Sequence, residues 1–234
     1  MFLTQIRGEE VITMKLFLHA SLKYFLGLVL ICVLLFMPAG SIAYPNGWLF
    51  IGLLFVPMLI LGAFLLIKAP ELLKKRLGVN EKENTQRCVV AISGLLFACG
   101  FTVAGLDFRF GWSQIPTWVV ITASVVLLAS YALYAEVMRE NAYLARTVEV
   151  QAGQKVIDTG LYGIVRHPMY AVTLWLFLAV PVVLGSWWSF FCFVPYIAVI
   201  VIRINNEEKV LMQGLEGYCD YQKRVKYRLI PFIW

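Results

Sequence analysis

Arg203 and Glu207 stand four residues apart, a spacing that places a guanidinium and a carboxylate on one face of a helix. A surface salt bridge would need nothing more. Here, however, the pair directly follows the apolar run 187–202, so Arg203 stands at a membrane boundary, where an ionisable group facing a bundle is costly and often functional. Upstream, Arg166-His167-Pro168-Met169-Tyr170 leads into another apolar run and brings an imidazole and a phenol. Pro168 suits the first turn of a helix, whose free N–H groups and partial positive charge can receive a carboxylate. Between Gly153 and Gly163 three glycines fall in eleven residues, which permits tight turns and close approach of backbone to a ligand. On its own that stretch reads first as an ordinary loop. If the runs 170–184 and 187–202 fold as an antiparallel hairpin, His167, Tyr170, Arg203 and Glu207 converge on one pocket.

The apolar runs must position that pocket. Of 234 residues, 61% are hydrophobic and only 15% charged, and the mean hydropathy is +0.78. A soluble domain is about half apolar and roughly a quarter charged, so this surplus belongs in a bilayer. Disorder, collagen-like repeats and disulfide scaffolds are excluded by the same composition. Six spans are predicted at 24–43, 48–67, 88–106, 118–135, 170–184 and 187–202, the last two joined by Gly185-Ser186. At 1.5 Å per residue those two reach only about 22–24 Å, so they thin the membrane or continue helically through 203–211. Nineteen of the 20 Lys and Arg fall on one side if the N-terminus is cytoplasmic, which leaves Arg109 alone outside and puts both termini in the cytoplasm. A cleavable leader ending at Ser41-Ile42-Ala43 is the competing reading, but Glu9 and Glu10 make a poor signal-peptide start.

The net charge of +6 flanks these runs rather than forming a patch, so the expected partners are membrane lipids and no nucleic acid. None of the five cysteines forms a C-x-x-C pair, and no metal site is expected. The connection 68–87, with Lys74-Lys75-Arg76 and Glu81-Lys82-Glu83, reads as a solvated, partly helical loop whose basic residues meet anionic headgroups. Residues 147–151 alternate as a short extended segment does. In the tail, Tyr218, Tyr221 and Val225 share one helical face, while Lys223, Arg224, Lys226 and Arg228 are placed to reach headgroups; an interfacial helix ending before Pro231 is expected. The chain is therefore read as an all-α integral membrane protein of about six transmembrane helices. Residues 1–135 hold four spans and the loop 68–87; residues 136–234 hold the pocket, the hairpin 170–204 and the C-terminal interfacial helix.

Gly160-Leu161-Tyr162, Arg166 to Tyr170, Arg203 to Glu208, Gly217-Tyr218 to Tyr221 and Tyr227-Arg228-Leu229-Ile230-Pro231 occur in order over roughly the last 90 residues. In this pattern the sequence resembles the isoprenylcysteine carboxyl methyltransferase family and its relatives, the phospholipid N-methyltransferases. The resemblance implies an integral membrane methyltransferase that uses S-adenosylmethionine without a soluble Rossmann domain. By position it implies a cofactor site at Gln154, Lys155, Val156, Ile157, Tyr162, His167, Pro168, Met169, Tyr170 and Glu207. Glu208, which completes a glutamate pair like that of the phospholipid methyltransferases, is carried over into the same cofactor site. Arg203 would face a methyl-accepting carboxylate, and Arg203 with Glu207 forms the catalytic pair. The segment upstream of Gln154 does not align securely with the family, which leaves Thr147 and Gln151 outside the set carried over.

The implied acceptor is a lipidic or prenylated small molecule or peptide. The donor's sulfonium and methionine moiety call for a carboxylate near the ammonium and donors near the carboxylate. A carboxylate acceptor, with a reference pKa of about 3.5, is already ionised at neutral pH and needs no general base. An amine acceptor must lose a proton, and His167 is the nearest candidate to take it. Phospholipid, small-amine or thiol methylation is the alternative. Sterol reductases share the architecture, so an NADPH-dependent reductase is a further reading, and a transporter or structural membrane protein the non-enzymatic one. Against the last, the spans carry no mid-membrane acid or base and no internal repeat.

Overall fold

The computed structural model describes residues 2–78, 84–145 and 147–234, with side chains from residue 14 onward. Glu81-Lys82-Glu83 and Arg146, and the side chains of Arg7, Glu9 and Glu10, lie outside the described residues. The described residues form helices joined by irregular connections, with no strand: α1 (Phe2–Ala39), α2 (Pro45–Lys68), α3 (Pro70–Leu77), α4 (Asn84–Phe110), α5 (Thr117–Glu140), α6 (Pro168–Val183), α7 (Trp187–Phe193), α8 (Tyr196–Gly214) and α9 (Tyr218–Arg224). A single 3-10 turn at Gly160–Gly163 interrupts the long connection between α5 and α6.

Among the described residues, five apolar stretches are long enough to cross a membrane: Met14–Ala39, Pro45–Lys68, Asn84–Phe110, Thr117–Glu140 and Trp187–Gly214. The fifth predicted span, 170–184, is α6, which is apolar but only 16 residues long. Its return partner is not one helix: it bends at Val194-Pro195, because a proline has no N–H to continue the ladder. Beyond the bend α8 runs on past Arg203 to Gly214, the continuation expected of so short a span. The first helix begins well before residue 24 and ends at Ala39 rather than 43, where Gly40 takes a left-handed φ of 64°. The alternation in 147–151 produces no strand; the segment is an irregular wall secured by local turns.

The core gathers Leu35 of α1, Tyr44, Phe50 of α2, Phe101 of α4, Leu127 of α5, Val180 and Leu184 at the end of α6, and Phe193 of α7. Large apolar side chains such as Phe25, Leu95, Trp118 and Trp175 point outward, as lipid-facing residues do. At the hairpin turn the carboxylate of Asp107, only 2% exposed, accepts from the Ser113 amide at 2.7 Å, the Ser113 hydroxyl at 2.6 Å and the Ser186 hydroxyl. Ser186 in turn caps α7 by accepting from the Ser189 amide at 2.9 Å. Tyr44 donates to the Leu184 carbonyl at 2.5 Å. These bonds fasten the hairpin's closed end to α2 and α4.

Helices α1 and α4 cross closely because Gly105 has no side chain: a Cβ there would stand 2.5 Å from the Leu35 carbonyl oxygen. Gly105→Ala should therefore push α1 away and destabilise by about 1–3 kcal/mol. Thermal unfolding in detergent micelles checks this. The midpoint should fall for Gly105→Ala and hold for Gly94→Ala, where an added Cβ meets nothing within 4 Å.

Candidate functional site

The hairpin's open end brings the start of α6 beside the second half of α8. Pro168 opens α6, and the His167 carbonyl accepts from the Tyr170 and Ala171 amides at 3.1 and 3.2 Å. Four residues along one face of α8 place Arg203 and Glu207 toward Tyr170. The phenol links them: it donates to the Glu207 carboxylate and accepts from Arg203 Nε at 2.8 Å. The Arg203 guanidinium also lies 5.7 Å from the centre of the Tyr170 ring, a cation–π contact. The phenol and its two ionic neighbours are thus fixed as one unit.

Glu208 takes a different course. One residue on, it points about 100° round the helix, away from Glu207. It is 2% exposed and lies 2.7 Å from Arg166 Nε, 3.2 Å from His167 Nε2 and 2.9 Å from Arg228 Nε. Arg166 also donates to the carbonyls of Val225 and Lys226 at 2.8 and 2.9 Å. The Arg166 and His167 amides donate to the Tyr227 and Arg228 carbonyls, both at 2.9 Å. The chain after α9 is thereby strapped across the base of α6. Arg228, expected at the headgroups, instead binds Glu208 and covers the Trp234 ring at 5.0 Å.

These elements surround a small cavity of about 100 Å³ that opens to solvent. Its wall includes Gln154, Lys155, Val156, Ile157, Tyr162, His167, Met169, Tyr170, Arg203 and Glu207. Of the residues singled out from the sequence, Pro168 and Glu208 do not line it. The wall also includes Asn141, Tyr143, Thr147, Glu149, Arg166 and Tyr218, to which sequence reasoning gave no place in the pocket. The alternation at 147–151 was the available signal for Thr147 and Glu149; Asn141 and Tyr143 carried none.

Local bonds shape the loop wall. Gln154 Oε1 accepts from the Gln151 amide at 2.9 Å, and Gln151 Nε2 donates to the Tyr143 carbonyl at 2.5 Å. Asn141 Nδ2 donates to the Tyr162 hydroxyl at 3.0 Å. Glu140 accepts from the Leu161 amide at 2.9 Å, and Gly160 admits that carboxylate only because a Cβ would collide with it at 1.7 Å. From α3, Arg76 reaches the Ala145 carbonyl at 3.4 Å and Met169 Sδ at 3.6 Å, so this basic helix braces the cavity wall.

Three tyrosines from the loop and α9 meet here. Tyr221 donates to the Tyr162 carbonyl at 2.7 Å, packing α9 against the 3-10 turn. Tyr218, on the same face, has its hydroxyl buried with no hydrogen-bond partner while the ring lines the cavity. Burial, reinforced by the Glu208 and Glu207 carboxylates, pushes the Tyr218 phenol far above its ordinary value, so it stays neutral and keeps a proton to donate. A buried, neutral donor without an acceptor on a cavity wall marks a place for a ligand's polar atom.

Residues 118–216 match the phospholipid methyltransferase family. The fold is similar to that of the eukaryotic intramembrane Ras methyltransferase ICMT (isoprenylcysteine carboxyl methyltransferase), with a TM-score of 0.52 and 20% identity over 96% of this chain and 86% of that one. A Delta(14)-sterol reductase, TM7SF2 of Mus musculus, is 31% identical over 91 residues, covering 38% of this chain and 22% of its own. A Delta(14)-sterol reductase of Methylotuvimicrobium alcaliphilum is 22% identical over 136 residues, covering 52% of this chain and 32% of its own. This chain thus spans a third or less of the length of those reductases. The family match and the shared membrane fold support the resemblance to isoprenylcysteine carboxyl methyltransferases and a membrane methyltransferase.

The neighbouring glutamates should separate experimentally. Glu208→Ala leaves two guanidinium groups without their buried partner and should cost about 3–5 kcal/mol. Glu207→Gln keeps an acceptor for Tyr170 and should leave stability nearly unchanged. Thermal midpoints in detergent should drop by roughly 10 °C for the first and hold for the second.

Proposed function

We propose that this chain is an S-adenosylmethionine-dependent methyltransferase that O-methylates a carboxylate of a lipidic acceptor, such as an isoprenylcysteine, at the cytoplasmic face of a membrane. The observation that carries this reading is the Tyr170–Arg203–Glu207 unit on the wall of the cavity. On this reading both termini are cytoplasmic, residues 136–234 carry the chemistry and residues 1–135 form the scaffold in the bilayer.

The residues present fit the donor. Its sulfonium and ammonium groups suit Glu149 and Glu207, its carboxylate suits Lys155 on the same wall, and the partnerless Tyr218 hydroxyl offers a hydrogen bond to its polar atoms. Glu207 would hold the ammonium group, while Gln154 to Ile157, Tyr162, His167, Met169 and Tyr170 would enclose the rest. When bound, S-adenosylmethionine supplies an electrophilic methyl group on a sulfonium. Arg203 would grip the acceptor carboxylate, which is ionised at neutral pH and needs no base. The protein's task is then alignment, an effect worth up to about 7–11 kcal/mol. Tyr170, fixed to Arg203 and Glu207 together, sets the one relative to the other.

The phospholipid methyltransferase match favours a second reading, N-methylation of a phospholipid amine. Such an acceptor needs a base, yet His167 has Nε2 against Glu208 and is 5% exposed. That commitment weighs toward the carboxylate.

Arg203→Ala should abolish turnover while leaving S-adenosylhomocysteine binding largely intact, and Glu207→Ala should lose binding. Calorimetric titration of both variants checks the assignment; loss of binding in Arg203→Ala with retention in Glu207→Ala would reverse the two roles. Transfer of a labelled methyl group to an S-farnesylcysteine with a free carboxylate, then mild base, tests the acceptor: a methyl ester releases labelled methanol, whereas an N-methyl product keeps its label.

A further inference from the structure

Gln86 lies in the first turn of α4, outside the segment matched to the methyltransferase family, and its side chain is completely buried. Its Nε2 donates to the Arg203 carbonyl at 3.2 Å and to Asn206 Oδ1 at 2.7 Å. The Arg203 carbonyl can only accept, so the orientation of the Gln86 amide is fixed by chemistry. Within α8 that carbonyl also accepts the Glu207 amide, as the i to i+4 ladder requires. Gln86 therefore grips the backbone link that joins Arg203 to Glu207 on the cavity wall. Its second bond, to Asn206, holds α8 about 100° round the helix from Glu207. Two ties at different angles fix a helix against rotation where one would leave it free to turn.

The arrangement carries a cost. Gln86 Oε1 is buried with no hydrogen-bond partner. An apolar side chain of the same length would fill the space without that orphan, so packing gives no reason for an amide here.

We infer that Gln86 is a positioning residue: its amide, reaching from α4, sets the rotation of α8 so that Arg203 and Glu207 face the cavity together. The inference rests on the reading of Glu207 as a donor-binding residue. A turn of α8 by one residue would carry Glu207 off the cavity wall and bring Asn206 toward it. The scaffold half of the chain thereby takes part in the site.

Gln86→Met keeps the length of the side chain and removes both bonds together with the orphaned oxygen. Its thermal midpoint without ligand should equal or exceed that of the unaltered protein, while S-adenosylhomocysteine binding weakens roughly tenfold. A packing role alone would lower stability and binding in step, and that result would overturn the inference. In a Glu207→Gln background, Gln86→Met should add little further loss, because it acts through Glu207; full additivity would also overturn it. Asn206→Ala, at a half-buried position, removes one tie and should weaken binding in the same direction by less. Unchanged binding in both Gln86→Met and Asn206→Ala would overturn the positioning role alone. Absence of binding by the unaltered protein would overturn the donor reading, and the positioning role with it.

Discussion

A carboxylate taken out of water is tolerated only when its partners come with it. Glu208 imposes that condition on the whole open end of the hairpin. Its partners come from three places in the chain: Arg166 from the loop, His167 from the start of α6, and Arg228 from the strap after α9. Satisfying them draws α8, the base of α6 and residues 225–228 into one cluster. The cavity wall is a consequence of that gathering. His167 can face the cavity only in the orientation that Glu208 allows, and Arg166 is spent on the strap's carbonyls as well as on Glu208. The ion cluster supports the site from behind, and the Tyr170–Arg203–Glu207 unit forms its face.

Two adjacent glutamates thus divide between architecture and chemistry because a helix turns 100° per residue. In the sequence they look alike, and as a pair they resemble a ligand-binding motif. In three dimensions Glu207 meets a phenol and a cavity, whereas Glu208 meets two guanidinium groups, an imidazole and no cavity. The same geometry bears on Tyr218 and Tyr221. They share a face three residues apart, but Tyr221 finds the Tyr162 carbonyl and Tyr218 finds none.

What the sequence disclosed follows from the range of the contacts involved. The apolar runs, the hairpin and the meeting of His167, Tyr170, Arg203 and Glu207 depend on helix periodicity and a two-residue turn, both local. The all-helical membrane fold was legible for the same reason. Contacts between distant segments left no local trace. Arg228 looks like a headgroup-seeking cation until Glu208 is placed beside it. Arg76 belongs to a solvated basic run until α3 is laid against Ala145 and Met169. Gln86 is one polar residue at a helix start, with nothing nearby to announce its bond to a carbonyl 117 residues away. The first helix was misplaced at both ends because apolar content, not helix capping, set the expected limits.

The hairpin itself is held by polar groups at its two ends and by apolar packing between them. At the closed end Asp107 binds Ser113 and Ser186; at the open end Glu208 binds the base of α6 and the strap. Between these anchors α6 buries Val172, Leu176, Ala179 and Val180 against its neighbours and carries no Asp, Glu, Lys, Arg or His. That distribution suits a membrane, because each unpaired polar group in hydrocarbon is expensive and each anchor lies near a helix end. It also suits chemistry that requires alignment. A short helix fixed at both ends cannot slide along its axis, so Tyr170 keeps its height relative to Arg203 and Glu207. The bend at Pro195 then lets α7 and α8 approach α4 along two directions, packing Phe193 beside Gly100 and Arg203 beside Gln86. Rigidity in the apolar part of the bundle is what allows an open polar cavity at its end to hold a fixed shape.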